Sequence, residues 1–259
     1  FGSREKTTMP VLLEIDVDGH RSGIRPDGAE LLPAAAALAD GAELVGVLTH
    51  AGDSYECKTT AEIEAAAEAE RAGIVLAAER LRAAGHTVKI VSAGSTPTLM
   101  FAKDETGVTE MRAGVCALFD LFMSNVGACT VDDIAGSVLA TVIGRQVDKR
   151  RVILDCGFLA LSRDRGTARQ AHDYGYGLVC GLDGKPLADG TIVLTGTNQE
   201  HGILTLPENS PLTQEDFPIG RRLRILPNHA CPTAAPYGSL VLIENGRVAE
   251  VLDHVRGWD

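Results

Sequence analysis

The sequence lacks any long hydrophobic run. The longest apolar stretch, from Leu31 to Leu38, contains Pro33 and is far shorter than the roughly 18 residues that a membrane-spanning helix needs. An excess of positive charge is also absent, since 24 Lys and Arg residues stand against 35 Asp and Glu residues in a chain of 259. The net charge of −11 repels phosphate backbones. We therefore expect neither a membrane protein nor a nucleic-acid partner.

Cysteines are too few and too widely spaced for a disulfide framework. The chain has six of them, whereas small secreted scaffolds are much denser in cysteine. Residues 1–6 contain no apolar segment of the kind found in a signal peptide. A reducing, cytoplasmic setting is therefore expected. Because the first residue is Phe rather than Met, we also expect the chain to start at a processed or truncated end.

The composition is that of a globular protein, with 45% hydrophobic residues, 23% charged residues and a mean hydropathy of +0.06. These values exclude wholesale disorder. They allow one large core, or one core with a smaller second one.

The first half of the chain alternates short apolar runs with helical patterns. Three runs read as buried strands: Val11–Val17, Leu44–Leu48 and Thr87–Val91. Capping-box patterns at Asp27/Glu30 and Thr59/Glu62 predict helices that end at Gly41 and Gly85, and Pro97 marks a third start. A last run lies near Met111 to Leu118. This alternation predicts parallel βαβ units. Four strands cannot close an eight-stranded barrel, so we predict the second half of a (β/α)8 TIM-like barrel over residues 1–118.

The pattern changes near residue 119. Short strands separated by Gly, Pro, Asp and Asn are predicted from there on, at 152–154, 178–179, 192–194, 223–226 and 240–243. Asn245-Gly246 between two apolar runs indicates a hairpin, and the segment 132–142 fits either a helix or a strand. The predicted fold class is therefore α/β plus β, with a β-domain over residues 119–259.

His229 and Cys231 form one candidate site. In an extended segment their side chains share a face, and an imidazole with a thiolate can bind zinc. The alternative is a core cysteine beside an exposed histidine.

The segment Ser92–Thr98 follows a strand and precedes a helix, so its hydroxyls and N–H groups suit a phosphate. The alternative is a plain helix cap. Arg21 and Tyr55 lie where barrel strands deliver side chains to the rim, although a lone rim residue is more often structural. The pair Glu200-His201 is either an acid–base couple or a surface pair.

Together these segments resemble the D-serine dehydratase/D-threonine aldolase family, which comprises fold-type III pyridoxal-phosphate enzymes related to alanine racemase. The resemblance runs from about Val11 to the end of the chain. It rests on ordered motifs at 14–24, 49–55, 91–98, 110–120, 199–202 and 227–233.

The resemblance implies a role for each matching residue. Arg21 would face the pyridine nitrogen of the cofactor, and Tyr55 would contact the cofactor. The phosphate would be bound by Ser95, Thr96, Gly114 and Val115, and zinc by His229 and Cys231. The zinc would hold the carboxylate or the β-hydroxyl of the substrate.

Two departures from the family pattern concern the cofactor. The family usually has a second tyrosine where this chain has Leu48. The Schiff-base lysine of the family lies on the first barrel strand, in an N-terminal half that we expect to be missing. None of the six lysines matches that motif, at positions 6, 58, 89, 103, 149 and 185.

The resemblance implies that the parent protein is a cytoplasmic, homodimeric lyase that uses pyridoxal phosphate and zinc. Its expected reaction is elimination of water and then ammonia from a D-3-hydroxyamino acid such as D-serine. The aldolase branch usually has His-Cys-Asp where this chain has His229-Ala230-Cys231, which favours the dehydratase branch. The alternatives are a D-threonine aldolase and a non-catalytic zinc-binding or assembly module, because this chain by itself lacks the lysine.

Overall fold

The computed structural model describes residues 7–38, 41–112 and 114–255. The chain divides into two compact units, Phe1–Cys116 and Ala117–Asp259, close to the predicted change of pattern at residue 119. Within the described ranges, no helix is both long and apolar enough to cross a membrane.

The first unit is built on a parallel sheet of four strands. In chain order they are β1 (Met9–Ile15), β2 (Ala42–Thr49), β3 (Ile90–Ala93) and β4 (Glu110–Met111), and each pairs with the next. Between them lie the helices α1 (Leu31–Ala36), α2 (Thr60–Ala83) and α3 (Thr96–Phe101). The α/β prediction is confirmed. Sequential parallel neighbours also occur along a barrel wall, and the half-barrel itself stays a prediction.

Helix α2 forms where the sequence places it. The Thr59 side chain accepts a hydrogen bond from the Glu62 amide at 3.2 Å, and the Glu62 carboxylate accepts one from the Thr59 amide at 3.1 Å. The predicted apolar face packs against the sheet and is buried, with Ile63, Ala67, Ile74, Ala78 and Leu81 at its centre. This capping box and this core face are therefore confirmed.

Several boundaries in the first unit differ from the prediction. Strand β1 covers Met9–Ile15 rather than Val11–Val17. The capping box at Asp27/Glu30 is wrong, because the Gly28 amide bonds the Arg25 carbonyl at 2.9 Å and closes a turn there instead. Helix α1 consequently starts at Leu31 and ends at Ala36, well before Gly41. Strand β3 begins at Ile90 rather than at residue 87, since the carbonyl of residue 88 accepts the Arg82 guanidinium at 2.8 Å.

The second unit contains an antiparallel sheet of six strands in the order β7-β10-β5-β6-β9-β8. These are β5 (Val138–Gln146), β6 (Arg151–Leu154), β7 (Leu178–Cys180), β8 (Gly196–Thr197), β9 (Gly202–Thr205) and β10 (Arg222–Leu226). A separate hairpin consists of β11 (Ser239–Glu244) and β12 (Arg247–Asp253), joined at the predicted Asn245-Gly246 turn. Both turn residues have positive φ, as a type I′ turn requires.

The helices of the second unit are short: α4 (Leu121–Asn125), α5 (Phe158–Leu161) and α6 (Ala230–Ala234). The segment 132–142 resolves into a short 3-10 turn followed by strand β5. The predicted strand at 192–194 is wrong, because only isolated bridges form there, from Val193 to Leu178 and from Leu194 to Gly175. Ile192 and Leu194 still contribute buried apolar side chains to the larger core of the second unit.

Candidate functional site

The six residues implied as cofactor contacts all follow the carboxyl ends of the four parallel strands. Arg21 lies on loop 1 (16–30, after β1) and Tyr55 on loop 2 (50–59, after β2). Ser95 and Thr96 lie on loop 3 (94–95) and at the start of α3. Gly114 and Val115 lie on loop 4 (112–116), of which residue 113 is outside the described part. Parallel strands present these ends at one edge of the sheet, where (β/α)8 enzymes carry their active sites.

Loop 1 is tied to loop 2. The Asp18 carboxylate accepts the Asp53 amide at 3.0 Å, and His20 Nδ1 lies 3.1 Å from the Asp53 carboxylate. The His20 ring packs so closely on Gly52 that a Cβ there would lie 2.3 Å from it. These contacts fix the backbone next to Arg21, whose side chain is exposed.

His50 connects loop 2 to loop 3. Its Nδ1 lies 3.2 Å from the Gly94 carbonyl, and its ring centroid is 5.8 Å from that of Tyr55. Burial lowers the pKa of His50, and the positive charges of Arg21 and Arg112 lower it further. Because a carbonyl oxygen only accepts, Nδ1 is the ring nitrogen that carries the proton in this contact.

Ser95 serves as the N-cap of helix α3. Its hydroxyl accepts the Thr98 amide at 3.3 Å, while the Thr98 hydroxyl accepts the Ser95 amide at 2.9 Å. Ser54 donates its hydroxyl hydrogen to the Ala51 carbonyl at 2.7 Å, so its oxygen is the acceptor in the 2.9 Å contact with Ser95. The capping alternative thus describes Ser95 in this structure.

Thr96, unlike Ser95, uses its hydroxyl to contact loop 4 beside Gly114. The Thr96 hydroxyl oxygen accepts the Val115 amide at 2.9 Å, and a Cβ on Gly114 would lie 2.6 Å from that oxygen. Within the described residues, nothing accepts the hydroxyl hydrogen of Thr96. This free donor beside a backbone segment that only glycine fits suits a phosphate oxygen. The residues present therefore fit the phosphate group of the implied cofactor.

The second unit holds the predicted metal pair. His229 is the N-cap residue of α6, and its Nδ1 lies 2.7 Å from the Asp164 carboxylate. This hydrogen bond, together with the Cys231 side chain within hydrogen-bonding reach, raises the pKa of His229 to about 10. The same contact lowers the pKa of Asp164. With Nδ1 engaged, Nε2 is the ring nitrogen left for another partner, and Cys231 is exposed.

Two buried polar side chains fix the backbone around His229. Asn228 donates to the carbonyls of Asp164 and Gly175, at 3.0 and 2.7 Å. Asp120 accepts the Ala230 amide at 2.9 Å with one oxygen and the amide of residue 123 with the other. The residues that precede and follow His229 in the chain are thus both fixed by hydrogen bonds.

Cys231 lies in helix α6, so the predicted extended segment that would put both side chains on one face is wrong, and only the donor types of the pair suit zinc. Nowhere in 7–38, 41–112 or 114–255 do three His, Cys, Asp or Glu side chains meet as a metal group. An imidazole and a thiolate are zinc-type donors, and a carboxylate behind the imidazole is the usual outer partner. Two protein ligands would leave positions for water or substrate.

The remaining sequence candidates that the structure describes are exposed. Glu200 and His201 are exposed on the turn between β8 and β9, in agreement with the surface-pair alternative. Lys6 lies outside the described residues, and the other five lysines are exposed. Sequence reasoning missed Asp164, Asp120, Asn228 and His50, because each acts through contacts far along the chain.

Comparison with known families matches the two halves of the chain separately. Residues 1–121 match the alanine racemase N-terminal domain, and residues 135–243 match the putative serine dehydratase domain. The D-threo-3-hydroxyaspartate dehydratase of Delftia sp. strain HT23 is 50% identical over 262 residues, which cover 100% of this chain and 68% of that protein. This chain belongs to the D-serine dehydratase/D-threonine aldolase family. The resemblance read from the motifs is confirmed, as is the alanine-racemase-like fold.

Other members of the family extend the comparison. The D-serine dehydratase of Dictyostelium discoideum is 29% identical over 244 residues, covering 91% of this chain and 61% of that protein. A solved D-threo-3-hydroxyaspartate dehydratase, a cysteine-to-alanine mutant in the metal-free form, superposes with a TM-score of 0.91 at 50% identity. That alignment covers 100% of this chain and 69% of the solved one. The chain thus spans about two thirds of the length of these family members.

Proposed function

We propose that this chain is part of a lyase that depends on pyridoxal phosphate and zinc. It would convert a D-3-hydroxyamino acid to a 2-oxo acid and ammonia, by loss of water from Cα and Cβ followed by hydrolysis. The observation that carries the proposal is the pair of His229, held by Asp164 at 2.7 Å, and Cys231. This pair occurs in a chain that is 50% identical over its whole length to a dehydratase.

The four tied loops would bind the cofactor. Thr96, with the backbone at Gly114 and Val115, would bind the phosphate, and Tyr55 would contact the ring. Arg21 would lie at the ring nitrogen; because a guanidinium does not release its proton, that nitrogen would stay unprotonated. Bound pyridoxal phosphate supplies an electron sink, which here would be a moderated one.

The second unit would bind the metal. His229 Nε2 and Cys231 Sγ are the proposed ligands. Asp164 would hold the Nδ1–H, and the metal would displace the proton that the raised pKa of His229 keeps on Nε2. A thiolate favours zinc over manganese or magnesium. Bound zinc supplies a Lewis acid that makes the β-hydroxyl a better leaving group.

The dehydratase reaction is favoured over aldol cleavage. Both named reactions start from a D-3-hydroxyamino acid, so the substrate class alone does not separate them. The ligand run His229-Ala230-Cys231 differs from the His-Cys-Asp run of the aldolase branch. The 50% identity is to a dehydratase that acts on a hydroxyaspartate, so a second carboxylate on the substrate is an option to test beside D-serine.

Product analysis tests the proposal. A chimera would join this chain to the part of the Delftia dehydratase that this chain does not cover. It would be loaded with pyridoxal phosphate and zinc, and offered D-serine, D-threo-3-hydroxyaspartate and D-threonine separately. We expect ammonia and the matching 2-oxo acid. Glycine with an aldehyde would identify an aldolase instead, and no product from any substrate would favour the non-catalytic module.

Gly114→Ala tests the phosphate site. The added Cβ would lie 2.6 Å from the Thr96 hydroxyl oxygen and would displace the hydroxyl that is proposed to bind the phosphate. We expect the dissociation constant for pyridoxamine 5′-phosphate, measured by fluorescence titration, to rise about tenfold, a cost of about 1.4 kcal/mol. Gly238→Ala is the matched control, because no atom lies within 4 Å of a Cβ there. Equal affinities of the two variants would remove the assignment of Thr96 and Gly114.

A further inference from the structure

Helix α2 carries a carboxylate in the middle of its buried face. Glu70 is 1% exposed and lies between the core residues Ala67 and Ile74. Burying a carboxylate is expensive unless hydrogen bonds compensate it. An apolar side chain at this position would continue the stripe and pack against the sheet. A glutamate there therefore needs a reason other than packing.

The contacts of Glu70 supply that reason. Its Oε1 accepts the Ala51 amide at 2.9 Å and the Gly94 amide at 3.2 Å. Ala51 belongs to loop 2 and Gly94 to loop 3, and both are buried. One oxygen thus joins the two loops that follow the adjacent strands β2 and β3.

The backbone of loop 3 is tightly constrained at Gly94, so its amide has little freedom to reach an acceptor other than Glu70. Gly94 has φ of +126°, and a Cβ on it would lie 2.9 Å from the backbone of Arg112. Its carbonyl already pairs with His50 of loop 2 at 3.2 Å. Without Glu70, two buried N–H groups would lose the acceptor that the structure gives them, which costs more than one ordinary hydrogen bond.

We propose that Glu70 is a positioning residue that fixes loops 2 and 3 to each other, so that Tyr55 and Thr96 are placed for a phosphate-bearing cofactor. The part that concerns the cofactor rests on the proposed function. Glu70 is buried in the helix and needs no contact with the cofactor to do this. The link that Glu70 makes between loops 2 and 3 depends only on hydrogen bonds within the first unit and not on the cofactor.

Three variants of the full 259-residue chain separate the role of the acceptor from that of packing. Glu70→Leu keeps an apolar stripe but removes the acceptor. Glu70→Gln keeps a carbonyl oxygen that can accept both amides and removes the charge. Glu79→Gln is the control, because Glu79 lies exposed on the same helix. Far-UV circular dichroism checks that each variant is folded, and Glu70→Gln provides the test should Glu70→Leu fail to fold.

Amide hydrogen exchange without ligand tests the tie. Exchange at Ala51 and Gly94 should become at least about tenfold faster in Glu70→Leu, because both amides lose their acceptor. It should stay within about threefold of the unsubstituted chain in Glu70→Gln and be unchanged in Glu79→Gln. Unchanged exchange at both amides in Glu70→Leu would overturn the proposal. If only the Gln variant folds, the proposal is overturned when exchange at Ala51 and Gly94 is more than about threefold faster than in Glu79→Gln, because the retained acceptor oxygen should preserve the tie.

Titration with pyridoxamine 5′-phosphate tests the consequence for binding. We expect about tenfold weaker binding in Glu70→Leu and recovery to within about threefold in Glu70→Gln. Faster exchange with unaltered affinity would overturn the positioning role. If the unsubstituted chain does not bind the probe while exchange still rises in Glu70→Leu, the proposed cofactor site fails and the tie between the loops is supported.

Discussion

The 259-residue chain, supplied with pyridoxal phosphate and zinc, should release no ammonia from D-serine or D-threo-3-hydroxyaspartate. Family members bind the cofactor through a lysine on the first barrel strand, and no lysine of this chain matches that motif. The five described lysines are exposed, so none lies in the desolvated pocket in which a nucleophilic lysine is activated. Ammonia release by a coupled assay, and cofactor retention after borohydride reduction, measure the effect.

The chimera with the Delftia segment is the positive control for this result, because it restores a lysine without changing any residue of this chain. Turnover by the chain alone would contradict the expectation. In that case Lys6 and Lys58 would be the first residues to replace.

Cys231→Ala should lose nearly all bound zinc. With only two proposed protein ligands, removal of the thiolate leaves a single imidazole, which cannot retain the metal through purification. We expect the zinc content, measured by plasma mass spectrometry, to fall from about one per chain to near zero. Asp164→Ala should be milder, with zinc affinity reduced about 10- to 100-fold, since it removes only the partner that orients His229.

Cys57→Ala is the matched control for the zinc measurement, because it removes a partly exposed thiol of the first unit. Unchanged zinc content in Cys231→Ala would remove the metal assignment. Equal zinc affinity in Asp164→Ala and in the unsubstituted chain would show that Asp164 does not orient His229 for the metal.

Local sequence signals predicted the elements that depend on neighbouring residues. The Thr59/Glu62 capping box, the buried face of α2 and the Asn245-Gly246 turn need contacts only a few positions apart, and all three formed. The Asp27/Glu30 pattern has the same spacing, yet the turn closed by Gly28 and Arg25 competes for that backbone. The spacing of two residues does not show whether another turn forms from the same backbone.

Site residues that belong to a short sequence motif could be predicted. Site residues that lie far away in the sequence and meet only in the folded chain could not. His229 and Cys231 are two positions apart, and their motif matched that of a family. Asp164 lies 65 positions from His229, and only the folded second unit brings them together. Glu70 left a signal, a carboxylate within an apolar helical stripe, but its two partners could be found only from the paths of loops 2 and 3.

The two units contain separate hydrophobic cores. One is built on α2 and the parallel strands, and the others lie in the antiparallel unit. The proposed cofactor contacts belong to the first unit and the proposed zinc ligands to the second. A substitution that repacks one core therefore removes no residue from the other. Over evolution, the metal ligands can thus diverge between branches of the family while the cofactor-binding loops stay under their own selection.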